Sequence, residues 1–123
     1  MMQLYPVGVV KQWNEKADYP GNTMQIHIHD EFSAGLKGVE NCEHLWILFW
    51  MHKLSEEDRE KLQVHPRGDV TKEKRGVFAL RSPMRPNPIG LTRVRLIKRD
   101  RNILIVEGLD AFDESPVIDI KPG

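Results

Sequence analysis

The side chains best suited to chemistry cluster in two stretches, and the first is Arg81-Ser82-Pro83-Met84-Arg85-Pro86-Asn87-Pro88-Ile89-Gly90. Its three prolines each fix φ near about −65° and remove a backbone donor, so the stretch can be neither helix nor central strand. A stiff extended loop is expected, holding Arg81, Ser82, Arg85 and Asn87 in a fixed fan at low entropic cost. Such a fan suits a small polar ligand or a phosphate. Gly90, at its end, permits close approach of the backbone to a neighbour. The residues alone leave open a second reading, a rigid corner between strands whose arginines serve solubility.

The second stretch is Asp110-Ala111-Phe112-Asp113-Glu114-Ser115-Pro116, followed by Val117-Ile118-Asp119-Ile120-Lys121-Pro122. Asp113 to Pro116 has turn chemistry, and a short strand should follow. Asp110, Asp113 and Asp119 lack the oxygen-rich loop spacing of a calcium site, and no metal is expected. His27 and His29 share a strand face two residues apart, but no HxxxH or CxxC pair supports a transition-metal site. His52 ends the most apolar run of the chain and is a pocket candidate. Cys42 is the single cysteine, which excludes an internal disulfide and fits a reducing, cytoplasmic setting. No P-loop or GxGxxG turn is present, so a Rossmann-type cofactor fold is not expected.

The elements that must position these groups read mainly as strands. Met24 to Asp30 and Leu91 to Ile97 alternate apolar and polar with period two, as half-buried antiparallel strands do. Pro6 to Val10 and Asn102 to Glu107 are rich in β-branched residues, and His44 to His52 is apolar on both faces, as a central strand would be. Asp100-Arg101-Asn102 reads as the turn of a hairpin. One short helix is expected over Ser55 to Leu62, with Ser55 as cap and Asp58 at the third position. Gln63 to Arg75 is polar enough for a mobile loop. With 123 residues and 40% hydrophobic content, the expectation is one mainly β domain over residues 1–123, an antiparallel barrel-like sheet with one short helix. The longest apolar run, Leu45 to Met51, is too short for a membrane helix, which needs roughly 20 residues.

The formal charge is zero, yet between Lys72 and Arg101 ten basic residues face two acidic ones, a net of +8 that leaves −8 elsewhere. Such separation creates a local positive field suited to a polyanion or a phosphate-bearing ligand.

The block Gly76-Val77-Phe78-Ala79-Leu80-Arg81-Ser82-Pro83-Met84-Arg85-Pro86-Asn87-Pro88-Ile89-Gly90-Leu91 resembles the signature of the TsaA-like, or TrmO, family. Pro6-Val7-Gly8-Val9-Val10, Gly35 to Glu40 leading to His44-Leu45-Trp46, and Pro116 to Pro122 extend the likeness over essentially the whole chain. The resemblance implies a β-barrel methyltransferase that uses S-adenosylmethionine near a homodimer interface and methylates N6 of threonylcarbamoyl-adenosine beside the tRNA anticodon. Carried over by motif position, the cofactor site would draw on Pro20, Gly21, Asn22, His52, Lys53, Arg81, Leu91, Asp113, Glu114, Ser115 and Pro116.

Within that resemblance, Arg81 suits a carboxylate and Leu91 an adenine. Asp113 is the leading carboxylate for proton transfer, ahead of His52. Arg85 and Asn87 would hold the substrate's threonyl carboxylate or a phosphate, and Lys72 to Arg75, Arg93 and Arg95 the RNA backbone. Relatives commonly carry Asp-Gly-Thr-Pro where this chain has Asp113-Glu114-Ser115-Pro116, so the turn must form without glycine. Many continue past the end of this sequence, where some RNA-contacting surface is expected to lie. Two other readings remain open: a binding module for S-adenosylmethionine without transfer, and a general single-strand RNA binder stacking bases on Trp46, Trp50 or Phe78. Those aromatics stand in apolar runs and are expected in the core.

Overall fold

The computed structural model describes residues 1–13 and 18–123. The chain comprises two compact units, Met1–Trp50 with Gly90–Gly123, and Met51–Ile89.

The first unit is a closed barrel built from six strands, β1 (Gly8–Gln12), β2 (Thr23–Ile28), β3 (His44–Trp50), β6 (Ile89–Asp100), β7 (Ile103–Glu107) and β8 (Pro116–Pro122), in the order β1-β2-β7-β6-β3-β8. The described barrel pairings are antiparallel, with Val10 opposite Ile26 and Ile26 opposite Leu104. Closure abolishes free sheet edges and sends every second side chain inward. Val10, Ile26, Ile47, Leu104, Val106 and Val117 fill the interior, each fully buried.

β3 departs from expectation. Leu45, Ile47 and Phe49 are buried, but Trp46, Leu48 and Trp50 on the other face are only half-buried. A barrel has its core on one side of each strand, so an apolar run need not be covered on both faces. Gly8 and Gly90 mark close approaches. A Cβ at Gly8 would strike the His27 carbonyl, and one at Gly90 would fall inside the Phe49 ring.

The expected hairpin joins β6 to β7, with Arg101 in the left-handed region at φ 56°. A bulge between Leu96 and Lys98 bends β6. Two 3₁₀ turns that the strand pattern does not announce, Asp30–Leu36 and Val39–Asn41, follow β2. Arg99 fastens them, donating from Nη1 to the Leu36 carbonyl at 2.9 Å and to Glu40 Oε2 at 3.2 Å.

In the second unit the short helix α1 spans Glu56–Arg59. Its reciprocal capping box is formed by Ser55 Oγ accepting from the Asp58 N–H and Asp58 accepting from the Ser55 N–H. The stretch expected as a mobile polar loop is instead bounded by an antiparallel ladder of β4 (Gln63–Val64) with β5 (Arg75–Gly76). Between them, Asp69 accepts from the Thr71 hydroxyl at 2.6 Å and its N–H at 3.0 Å. Those bonds favour the anion and hold the Asp69 carboxyl below its ordinary range.

Candidate functional site

Antiparallel pairing brings the end of β1, the starts of β2, β6 and β8 and the end of β7 to one end of the barrel. The loop before β2 is tied there, the Thr23 N–H donating to the Pro20 carbonyl at 3.1 Å and the Gly108 N–H to the Asn22 carbonyl at 3.2 Å. Leu91, near the start of β6, is 45% exposed. Beside it the Thr92 hydroxyl donates to Asp110 Oδ1 at 2.6 Å.

The Asp113 to Pro116 turn is stitched onto β1. The Glu114 N–H donates to the Val10 carbonyl at 2.8 Å, and the Val10 N–H to the Ser115 carbonyl at 2.9 Å. Ser115, only 1% exposed, donates its hydroxyl to the Phe112 carbonyl at 2.6 Å. The turn does form without glycine, with Glu114 itself in the left-handed region at φ 69°. Its carboxylate pairs with Lys11, and that bond is the first cause of the raised Lys11 pKa. Asp113 Oδ1 accepts from the Gln12 N–H at 2.7 Å, while Oδ2 has no protein donor among the described residues. Lys11 and Gln12 are site neighbours that sequence reasoning missed. They stand about a hundred positions from the turn they brace, and only the β1–β8 pairing reveals them.

The proline loop belongs to the second unit, where hydrogen bonds brace its backbone. Arg85 is turned back into its own loop. Its Nη1 donates to the Leu80 and Ser82 carbonyls at 3.2 and 3.1 Å, and Nη2 to the Val77 carbonyl at 2.7 Å. Expected to hold a substrate anion, it has three of its five donors committed to backbone. Further braces come from Arg59 Nε to the Pro86 carbonyl at 2.9 Å, the Met51 N–H to the Pro88 carbonyl at 2.8 Å, and the Met84 N–H to Ser82 Oγ at 3.2 Å.

Arg81 and Asn87 project from this frame and are exposed. Arg81 makes no hydrogen bond or ion pair among the described residues, and with Ser82, Pro83 and Met84 it lines a bowl. His52, half-buried, and Lys53, exposed, open the second unit just after β3.

The two arginines expected on RNA also have protein partners. Arg95 pairs with Glu107 at 2.8 Å, and Arg93 donates to the Gly123 carbonyl at 3.0 Å. Phe78, expected in the core, is 83% exposed. His27 donates from Nε2 to Gln25 Oε1 at 2.8 Å. Among the described residues no three His, Cys, Asp or Glu side chains are grouped to hold a metal, and no helix is long and apolar enough to cross a membrane.

The residues at the barrel end fit a methyl-donor nucleotide in kind. Leu91 and the 62% exposed Phe112 offer apolar surface for a purine, and the uncommitted Asp113 oxygen accepts from a hydroxyl or an ammonium group. In the second unit, Arg81 offers a free guanidinium to a carboxylate.

A model of the tRNA-methyltransferase O N-terminal domain matches residues 12–123. A protein of Methanocaldococcus jannaschii named as a probable S-adenosyl-L-methionine-binding protein is 47% identical over 122 residues, 98% of this chain and 91% of its own length. An S-adenosyl-L-methionine-binding protein of Archaeoglobus fulgidus is 47% identical over 127 residues, 98% of this chain and 88% of its own. Among solved structures, a crystal structure of TrmO superposes with a TM-score of 0.74 at 30% identity, and TrmO from Pseudomonas aeruginosa with 0.72 at 28%. Both cover 100% of this chain, which spans only 57% and 56% of theirs. With residues 12–123 matched by the family model and 98% of the chain aligned to a relative at 47% identity, the chain belongs to the tRNA-methyltransferase O N-terminal domain family.

Proposed function

We propose that the chain binds S-adenosylmethionine and methylates N6 of threonylcarbamoyl-adenosine beside the tRNA anticodon, the two units of residues 1–123 working as one domain in the cytoplasm. The observation that carries this reading is the meeting, at one barrel end, of three segments far apart in sequence: Pro20 to Asn22, Leu91, and Asp113 to Pro116.

When bound, S-adenosylmethionine supplies a methyl group on a cationic sulfur, which an attacking nitrogen displaces in line. Such a displacement asks for alignment more than for covalent help. Leu91 and Phe112 would cover the adenine, and Arg81 would pair a carboxylate. Asp113 Oδ2 would take the proton that leaves N6. A weak base suffices, because the neighbouring carbonyl withdraws electrons from that nitrogen. The Gln12 N–H and the Lys11–Glu114 pair keep Asp113 in place, and the exposed Asn87 offers its amide to the substrate. Arg85 acts through the loop, as a positioning residue.

Calorimetric titration with the donor should saturate, and nucleoside mass analysis of tRNA incubated with the chain and isotope-labelled donor should show one added methyl on threonylcarbamoyl-adenosine. A flat titration removes the reading. The Methanocaldococcus jannaschii and Archaeoglobus fulgidus relatives are named as binding proteins, which favours binding without transfer as the second reading. Saturable binding with no methylated nucleoside would select it. A homodimer with the cofactor near its interface is part of the same proposal, supported by the half-buried Trp46, Leu48 and Trp50 on the outer face of β3. Sedimentation at twice 14.3 kDa is expected, and a monomer at all concentrations would remove that part.

A further inference from the structure

The cations of the basic stretch divide into two populations. On the barrel, Arg95 and Arg99 pair with Glu107 and Glu40. In the second unit, Lys72, Lys74 and Arg75 of that stretch, joined by Lys61 and Arg67 from outside it, line a bowl of about 1430 Å³; among the described residues no carboxylate lines it and none of the five forms an ion pair. Cations gathered without counter-charge repel one another, and a polyanion relieves the repulsion.

An aromatic ring stands in the same bowl. Phe78 is 83% exposed, yet its backbone is braced on either side. The Val77 N–H donates to the Leu62 carbonyl at 2.9 Å, the Val77 carbonyl accepts from Arg85 Nη2 at 2.7 Å, and the Leu80 N–H closes the turn on that same carbonyl at 3.2 Å. Val77 is buried, at 1% exposure, and anchors the turn that holds the phenyl group out. An exposed apolar ring on a braced backbone amid unpaired cations matches what a single strand of nucleic acid presents, a flat base face beside phosphates. An acidic peptide would use the charge and leave the ring unused.

We propose that this bowl is a docking site for single-stranded RNA, with one base stacked on Phe78 and the neighbouring phosphates on Lys72, Lys74 and Arg75. The proposal rests on the RNA half of the function proposed above and assigns its contact surface to the second unit.

The test uses the full chain and an unmodified single-stranded oligoribonucleotide of roughly ten nucleotides, with no methyl donor, followed by fluorescence anisotropy across a salt series. Phe78→Ala should weaken binding about 5- to 150-fold with an unchanged salt slope, the cost of one lost stack. Phe78→Trp should restore affinity, with indole quenching on binding. The triple variant Lys72→Ala, Lys74→Ala, Arg75→Ala should flatten the slope by about 0.7 per cation removed. Thermal melts establish that each variant is folded, which is expected for side chains this exposed. Affinity unchanged in both Phe78→Ala and the triple variant overturns the proposal. So does a polyglutamate peptide that binds as tightly as RNA and ignores Phe78→Ala, since the bowl then serves an acidic protein. Because neither donor nor modified substrate is present, absent methylation with these effects intact removes only the earlier reading, and methylation without them removes only this one.

Discussion

Glu114 shows how a single residue can carry a turn that suits glycine better. At φ 69° it occupies the left-handed region, which costs an ordinary side chain about 1–2 kcal/mol, partly offset by its exposed pairing with Lys11. Glu114→Gly should leave stability within about 0.5 kcal/mol, strain relief balancing the freedom glycine adds to the unfolded chain. Glu114→Val should cost about 1–2 kcal/mol, because β-branching suits that region worst; urea midpoints check both. At Arg81, which has no partner among the described residues, alanine should weaken donor binding by about 1.5–3 kcal/mol if the guanidinium pairs a carboxylate. An unchanged dissociation constant would reject that role. That the loop carries rigid arginines was legible from its prolines. Which arginine faces outward was not, because Arg85 and Arg81 differ only in which carbonyls lie within reach after folding.

The elements were largely readable where period and turn chemistry agree. The alternation of Met24-Gln25-Ile26-His27-Ile28, the turn at Arg101-Asn102 and the Ser55–Asp58 cap all appear in the structure. The half-exposed outer face of β3, the β4–β5 ladder and the bracing of Asp113 by Gln12 were not readable, since each depends on pairing that local pattern does not encode.

Two predictions belong at this scale. Gly90→Ala pushes a methyl into Phe49, and should cost about 1–3 kcal/mol. Combining it with Phe49→Leu should recover part of that loss in a double-mutant cycle, whereas additivity would place the strain elsewhere. Arg85→Ala should destabilise the second unit by about 2–3 kcal/mol, and Arg85→Lys should not rescue it, because one ammonium lacks the planar fork that spans three carbonyls. Hydrogen exchange of the amides of residues 77–84 is the readout, faster exchange being expected in both variants.

For the whole molecule, the titration of β2 links pH to stability. Burial pushes the His27 imidazole below its ordinary 6.5, the Lys11 charge adds to the shift, and Glu114 opposes it. Between the two values the unfolded chain binds the proton more readily than the folded one. Stability is therefore complete above about pH 7 and declines as pH falls through the lowered value. His27→Gln should flatten the profile of urea midpoints between about pH 7 and 5; an unaltered profile would mean that other groups set it.

The strand order also dictates timing. β8 lies between β1 and β3, so the last of the six barrel strands to be translated is the one that seals the sheet. Until residues 116–122 emerge from the ribosome, β1 and β3 each offer a raw edge to any passing strand. The nascent chain is thus most vulnerable to mispairing just before β8 emerges, when nearly all of the barrel's core side chains have already been made.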